Sequence, residues 1–404
     1  MKPQSDPENP RSIAILALCF GAATFEGVDI QSMGFAGPQL MPAFGIDPAQ
    51  FGLAASASLA GLVVGGAVGG RLADYVGHAR ILLFSMTVLG IFSLATPFCS
   101  IFPLLVLVRF FVGLGLGGAI PTLIAISANV SPGRQGIATA LMYCGFPLGG
   151  ALLGWLTLLA LGLENWRLVF YFGGAGPLLL AGATMVVLRL GASHDAGIKA
   201  PVAPTLPLRQ ALFGDGRAVP TALLGVAFFF TLLVLYVLLN WLPILVVRQG
   251  FVRSQGVMAG TLLTSGGFLG ILLIGFLIRE SRGKTLAVLL YTILALALVS
   301  LAHAASFQIL LLSSFVTGLS NFGAQLLLYV SAVGFYPKTI HGAGLGYSAT
   351  MGRIGAVIGP MITGWMIKEG VGADLIIIAV IPGLAIALLA FLLLPRSGRS
   401  KVEC

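Results

Sequence analysis

The chain has 404 residues, of which 58% are hydrophobic and only 9% are charged, and this composition excludes an ordinary soluble globular protein. Its formal net charge is +9, but the basic residues fall mainly in short segments between apolar runs, which indicates membrane orientation and not nucleic-acid binding. The four cysteines form no CxxC or Cys/His cluster, so neither a metal site nor a disulfide framework is expected.

Apolar runs recur along the whole chain and predict twelve membrane-spanning helices, since roughly 20 apolar residues cross a bilayer. The predicted spans cover residues 12–36, 52–72, 80–99, 103–126, 135–161, 166–189, 220–247, 255–278, 285–303, 306–331, 341–367 and 373–394. We therefore predict an all-α membrane protein built from two six-helix bundles. Its parts are a tail at 1–11, a bundle at 12–189, a linker at 190–219, a second bundle at 220–394 and a tail at 395–404.

The lysines and arginines predict the orientation of these spans. Most of those outside the spans lie on the same side as the N-terminus, and far fewer lie on the other side. Because positively charged loops stay in the cytoplasm, both termini are predicted to be cytoplasmic.

The first span contains two carboxylates, Glu26 and Asp29, three residues apart. At this spacing both side chains lie on one face of a helix, and a charge within the bilayer costs at least about 2.5–3.5 kcal/mol. The pair therefore requires a water-filled cavity, a cationic partner or a bound proton. Span four carries Arg109, which a rise of about 1.5 Å per residue places in the same half of the membrane. Alternatively, the acids only brace a neighbouring helix, or the run is an extramembrane hinge.

Two short turns suggest an internal repeat. The turn after span two has the sequence Gly-Arg-Leu-Ala-Asp-Tyr-Val-Gly-His-Ala-Arg at 70–80. A second cation-rich turn that begins Gly-x-Leu follows span eight at 275–284. Such a repeat is typical of two related bundles that face each other across a central cavity.

The first of these turns resembles the motif G-x-L-A-D-R-x-G-R-[RK] of the major facilitator superfamily, with matches that include Gly70, Asp74 and Gly77. The cations at the sixth, ninth and tenth motif positions are replaced, and Arg80 comes one place late. Arg109 opens the sequence Arg-Phe-Phe-Val-Gly-Leu-Gly, which is similar to the R-x-x-x-G-x-G motif of the same superfamily. The resemblance implies a twelve-helix transporter fold.

A narrower resemblance points to the aromatic acid:proton symporters. The sequence Glu-Gly-Val-Asp at 26–29 is similar to the acid-Gly-x-Asp motif of that family, and so is the glycine-rich segment 352–360 of span eleven. The stretches 141–147 and 240–243 look closest to bacterial 3-(3-hydroxyphenyl)propionate transporters. This resemblance implies a monomeric protein of the bacterial inner membrane, surrounded by lipid and without a cofactor. It would import an aromatic carboxylate of the hydroxyphenylpropionate or hydroxybenzoate type together with a proton, by alternating access.

For this function, Glu26, Asp29 and Arg109 are the candidates for proton coupling, with a permanent structural pair as the alternative role of Arg109. Arg353, near the middle of span eleven, is expected to bind the substrate carboxylate through two parallel hydrogen bonds, or else to brace backbone carbonyls. The walls of such a site are aromatic with a few polar groups. The candidates for them are Tyr143, Pro147, Tyr236, Asn240, Trp241, Gln325 and Tyr329. Ordinary packing or an interfacial belt is the alternative role of the aromatic side chains.

The turn after span two supplies the candidates for gating, which are Gly70, Asp74, Gly77 and Arg80. They are expected to form a charge latch that closes the cytoplasmic gate, or alternatively only to set the topology. A glycine-rich stretch at 145–150 resembles proton antiporters, so a drug:proton antiporter is the alternative function. No GxxxxGK[ST] loop is present, so ATP is not expected to drive transport. No group at triad or ligand spacing points to an enzyme; a membrane enzyme and a receptor that binds without transport are the remaining alternatives.

Overall fold

The structure is a computed structural model that describes residues 10–130, 135–161, 165–189, 208–214, 216–278, 283–336 and 340–395. Every regular element in these ranges is a helix. The helices are α1 (Pro10–Phe44), α2 (Pro48–Val76), α3 (His78–Ala95), α4 (Phe102–Val130), α5 (Gln135–Leu156), α6 (Arg167–Arg189), α7 (Leu208–Phe213), α8 (Ala218–Arg248), α9 (Arg253–Leu277), α10 (Gly283–Ala302), α11 (Phe307–Phe335), α12 (His341–Lys368), α13 (Ala373–Ala379) and α14 (Ile381–Leu393). A 3₁₀ turn at Thr96–Phe98 extends α3, and a π-helical turn at Thr157–Leu161 extends α5.

The helices form two six-helix bundles, α1–α6 and α8–α14, in which α13 and α14 together make one span. Ten spans in the described part of the chain are long and apolar enough to cross a membrane. The other two are α5, which is apolar over Tyr143–Leu159, and α12, which carries Arg353 and many small residues. Small residues let membrane helices approach each other closely. The predicted fold class, an all-α membrane protein of two six-helix bundles, is confirmed.

Some boundaries differ from the sequence-based expectation. Helix α1 continues to Phe44 instead of ending near residue 36, and it contains Pro38 and Pro42. Prolines are tolerated in membrane helices because neighbouring groups satisfy the freed carbonyls. The last span is divided because α14 begins anew with Pro382 in its first turn, where the missing N–H is not needed.

The predicted linker and tails are only partly described. Residues 1–9, 190–207, 215 and 396–404 lie outside the described residues. The described part of the linker contains the short helix α7.

The two bundles repeat the same glycine contacts at a constant spacing in the sequence. A Cβ on Gly61 of α2 would collide with the carbonyl oxygen of Phe110 on α4. A Cβ on Gly266 of α9, 205 positions later, would collide with the carbonyl oxygen of Phe315 on α11, also 205 positions after Phe110. These contacts support the interpretation that the two halves are related by an internal repeat.

Connections alternate between two faces of the protein. We call the side of the α1–α2, α3–α4, α8–α9, α10–α11 and α12–α13 connections the Asp47 face, and the opposite side, with the α2–α3 turn, the Gly77 face. Gly77 has a φ of 102°, a conformation that favours glycine. At the Gly77 face, Lys284 Nζ donates hydrogen bonds of 2.7 and 2.8 Å to the carbonyls of Leu392 and Leu394, which satisfies free carbonyls at the end of α14.

Candidate functional site

A bidentate ion pair joins α1 to α4 inside the first bundle. Arg109 Nη1 donates to Asp29 Oδ1 and Nη2 donates to Oδ2, both at 3.0 Å, and Ser93 Oγ of α3 donates to Oδ1 at 3.1 Å. Both charged side chains are 1% exposed. The guanidinium carbon lies 5.7 Å from the ring centroid of Phe170 on α6. Four helices thus meet at one charge pair, and each member depends on the other because an unpaired buried charge is costly.

Glu26, one turn before Asp29, has a different environment. Its side chain is partly exposed, and it lies within electrostatic range of Arg353 on α12, in the second bundle. Among the described residues, Arg353 has no carboxylate within salt-bridge distance. The structure therefore separates the two neighbouring acids: Asp29 is held by an arginine of its own bundle, and Glu26 lies within electrostatic range of an arginine of the other bundle.

Aromatic rings from both bundles lie near these two charges. The ring centroids of Tyr143 on α5 and Tyr329 on α11 are 5.3 Å apart. Phe228 of α8 packs edge-on against Tyr329, with centroids 4.9 Å apart. Both tyrosines lie within electrostatic range of Glu26 and Arg353. We call these five residues the central cluster; it combines one cation, one acid and three aromatic rings.

Three further wall candidates lie close to the central cluster. Tyr236 of α8 is buried and is within electrostatic range of Glu26 and Arg353. Gln325 is partly exposed on α11, one turn before Tyr329. Pro147 is buried within α5, one turn after Tyr143.

Asn240 and Trp241 belong to a closed contact between helices. The Asn240 amide donates to a backbone carbonyl of its own helix at 2.9 Å. Trp241 is fully buried; its Nε1 donates to the Pro360 carbonyl at 3.1 Å, and its ring centroid lies 4.9 Å from that of Phe51 on α2. Since Pro360 is about two turns, or 10 Å, beyond Arg353 along α12, Trp241 lies nearer to the Asp47 face than the central cluster does.

The two bundles are joined at the Asp47 face. Lys368 Nζ lies 3.0 Å from Asp47 Oδ2, and the two side chains are 51% and 37% exposed. Ser56 Oγ of α2 donates to the Val357 carbonyl of α12 at 2.7 Å. The Gln50 backbone N–H donates to the Asp47 carboxylate at 2.8 Å, and this hydrogen bond, followed by the contact with Lys368, lowers the pKa of Asp47. These contacts join the two bundles on the Asp47 side of the central cluster.

The gating candidates lie at the opposite face. Gly70 is partly exposed on α2, Gly77 makes the turn, and exposed Arg80 donates from Nη1 to the Val76 carbonyl at 3.4 Å. The side chain of Asp74 lies outside the described residues, so the charge latch stays a prediction.

The sequence interpretation did not identify Ser93 and Phe170 as neighbours of the ion pair, or Phe228 as a neighbour of Tyr329. Phe228 belongs to a run of three phenylalanines, and this run gives no sign of which ring faces the centre. Within the described ranges, no three His, Cys, Asp or Glu side chains come close enough together to hold a metal ion.

Comparison with known proteins identifies the family. The chain matches the model of the Major Facilitator Superfamily over residues 19–325. It is 39% identical to the 3-(3-hydroxy-phenyl)propionate transporter of Escherichia coli, over 97% of this chain and 96% of that protein. It is 29% identical to a 4-hydroxybenzoate transporter of Pseudomonas aeruginosa, over 96% of this chain and 94% of that protein.

The fold is similar to the inward open conformation of the xylose transporter XylE from Escherichia coli, with a TM-score of 0.76, 16% identity and coverage of 96% and 98% of the two chains. These similar proteins are transporters, which confirms the prediction that the chain is not an enzyme. The chain is a multi-pass membrane protein that belongs to the Major Facilitator Superfamily.

Proposed function

We propose that this protein carries an aromatic carboxylate into the bacterial cytoplasm together with a proton, by alternating access. The observation that carries the proposal is Arg353, a partly buried guanidinium between the two bundles that has no carboxylate partner among the described residues. A charge within the membrane is costly unless it is paired or hydrated. A guanidinium binds a carboxylate through two parallel hydrogen bonds, so a substrate carboxylate supplies the missing partner.

The aromatic rings of the central cluster indicate the rest of the substrate. Tyr143 and Tyr329 offer ring faces and edges against which a substrate ring can pack, and the buried Phe228 packs against Tyr329. The two tyrosine hydroxyls can donate to or accept from a phenolic hydroxyl. Both relatives are named for substrates that combine a carboxylate with a hydroxylated ring. The substrate class that fits is therefore a hydroxyphenylpropionate or a hydroxybenzoate.

Glu26 is the proton carrier in this proposal. It is the acid within electrostatic range of Arg353, whereas Asp29 is fixed by two hydrogen bonds to Arg109. A substrate carboxylate on Arg353 and a charged Glu26 would place two anions beside one cation, and like charges at one site disfavour each other. The substrate anion and a proton on Glu26 therefore bind together and leave together.

The orientation follows the distribution of basic residues, with both termini in the cytoplasm and the Asp47 face in the periplasm of the inner membrane. The closed Asp47 face then belongs to the inward-facing state of a monomer. Opening this face requires separation of Asp47 from Lys368 and of Ser56 from Val357. In that outward-facing state the turn at 70–80 would close the cytoplasmic side.

The export alternative has less support. Gly145 and Gly149 of α5, which resemble the antiporter pattern, pack closely against α1, where a Cβ on Gly149 would collide with the Thr24 carbonyl oxygen. Close helix packing therefore explains these glycines without an antiporter mechanism.

The test is accumulation of radiolabelled 3-(3-hydroxyphenyl)propionate in proteoliposomes, with and without an inward proton gradient. The matched control is the neutral amide of the same acid, which has the same ring but no charge for Arg353. We expect the gradient to drive accumulation of the acid and not of the amide. Equal uptake with and without the gradient would contradict proton coupling, and proton release on addition of substrate would favour the antiporter.

A further inference from the structure

We infer that Gly66 of α2 is a positioning residue for substrate binding, because its missing side chain leaves room for the guanidinium of Arg353. The inference rests on the proposed function, in which Arg353 binds the substrate carboxylate. It adds a residue of the first bundle to a site whose cation comes from the second bundle.

The contact is close enough that a side chain at position 66 would displace the arginine. A Cβ on Gly66 would lie 2.8 Å from Arg353 Nη1 and 4.0 Å from Cζ, whereas non-bonded heavy atoms pack at about 3.5–4.0 Å. The next nearest atom is the Gly117 carbonyl oxygen at 3.6 Å. An added methyl group would therefore meet one atom too closely, and that atom is the tip of a flexible side chain.

Neighbouring glycines of α2 have a different reason to be glycine. A Cβ on Gly65 would collide with the backbone of Leu114, and a Cβ on Gly69 would lie 2.6 Å from the Gly118 Cα. Both therefore allow the backbones of α2 and α4 to approach each other. A Cβ on Gly66 would meet α4 only at an ordinary van der Waals distance, 3.6 Å from the Gly117 carbonyl oxygen, and its one close contact would be with Arg353 of α12.

This arrangement holds the guanidinium at the boundary between the bundles. Helix α2 belongs to the first bundle and α12 to the second, so movement of one bundle against the other changes the distance between Gly66 and Arg353. A substrate carboxylate on Arg353 would be bound where the two bundles meet. Because the one atom that an added methyl group would crowd is the tip of Arg353, at 2.8 Å, and the nearest backbone atom is at 3.6 Å, enlarging residue 66 should act mainly on substrate binding.

The first test is the uptake kinetics of Gly66→Ala. We expect KM for 3-(3-hydroxyphenyl)propionate to rise about tenfold, the change that corresponds to the loss of one charged hydrogen bond, with little change in the maximal rate. The matched control is Gly346→Ala on α12, where an added Cβ meets nothing within 4 Å and KM should not change. An unchanged KM in Gly66→Ala, with normal uptake by the wild type, would overturn the inference.

A double-mutant cycle separates positioning from general packing. In the Arg353→Lys background, Gly66→Ala should raise KM little further, because lysine lacks the guanidinium that the methyl group displaces. Independent effects of the two substitutions on KM would show that Gly66 acts elsewhere and would overturn the inference.

The second test does not depend on transport. Phenylglyoxal modification followed by mass spectrometry measures how accessible each arginine is. Arg353 should react several-fold faster in Gly66→Ala than in the wild type, while Arg109, which is 1% exposed, should stay unmodified in both and so report an intact fold. An unchanged rate at Arg353 overturns the inference. If the wild type does not take up the acid at all, the proposed function fails, and the labelling rate still decides whether Gly66 positions the guanidinium.

Discussion

Replacing Asp29 by asparagine should destabilise the first bundle strongly. The carboxylate and Arg109 are each 1% exposed and share two hydrogen bonds of 3.0 Å. Removing one partner of a buried pair leaves an uncompensated charge and costs about 3–5 kcal/mol. The same loss is expected for Arg109→Gln, which leaves the Asp29 carboxylate without its cation.

The double variant Asp29→Asn, Arg109→Gln should be more stable than the two single changes predict. It contains no buried charge, and its two amides can hydrogen-bond to each other. Replacement of both members of a buried ion pair is often close to neutral, so the two effects should be clearly non-additive. Such non-additivity would show that each single variant loses stability mainly because it leaves one buried charge unpaired.

The three described cysteines, Cys19, Cys99 and Cys144, are buried and provide the assay. In a Cys404→Ser background, a thiol-reactive dye should become fluorescent in detergent only when these thiols are exposed by unfolding. At roughly 2–4 °C per kcal/mol, each single variant should unfold about 6–20 °C below the background protein, and the double variant much closer to it. A single variant with an unchanged midpoint would refute the account of the ion pair, and so would a double variant that simply sums the two losses.

Two further variants test the central cluster and the Asp47 face. Arg353→Lys keeps the charge but loses the planar fork, so KM for the acid should rise at least about tenfold; wild-type affinity in uptake assays would exclude a bidentate carboxylate site. At the Asp47 face, Lys368→Gln should increase the reaction of Ser56→Cys with a maleimide that cannot cross membranes, because the face opens more often. The increase in reaction rate should be small, because an ion pair this exposed contributes at most about 1 kcal/mol. Equal rates for Ser56→Cys alone and for Ser56→Cys with Lys368→Gln would contradict a role of the ion pair in closing this face. The hydrogen bond from the Gln50 N–H and the contact with Lys368 lower the pKa of Asp47. The contact is therefore fully present above about pH 3.9 and is lost as the pH falls through the lowered value. Because the reactive thiolate becomes scarcer at low pH, the Ser56→Cys rate is compared with that of a fully exposed cysteine at the same pH, and this ratio should rise even with Lys368 present.

The depth of a residue in the membrane could be predicted from the sequence, but the direction in which its side chain points around the helix axis could not. Counting the rise per residue placed Arg109 at the level of Glu26 and Asp29, and the structure pairs it with Asp29. A spacing of three residues turns a side chain by about 60° from its neighbour. In a helix that contacts both bundles, this difference is enough for one acid to bind Arg109 while the other lies within electrostatic range of Arg353. Only the packing of the helices decides which acid faces which arginine.

Residue type alone also could not separate a binding residue from a packing residue. From the sequence, Trp241 could either line a site for an aromatic substrate or lie at the membrane interface. In the structure it packs between α2 and α12, and its indole N–H donates to the Pro360 carbonyl. Gly66 looks in the sequence like one more small residue beside Gly65 and Gly69. Its particular role depends on a guanidinium almost 300 positions away in the chain, and no local pattern records that contact.

The separate environments of Glu26 and Asp29 lead to the most direct test of proton coupling. The measurement compares two assays on Glu26→Gln in proteoliposomes: exchange of labelled for unlabelled 3-(3-hydroxyphenyl)propionate, and its accumulation under an inward proton gradient. If Glu26 carries the proton beside Arg353, exchange should continue in the glutamine variant while the gradient no longer drives accumulation. Accumulation at the wild-type level in Glu26→Gln would contradict the account, because the proton would then travel on another group.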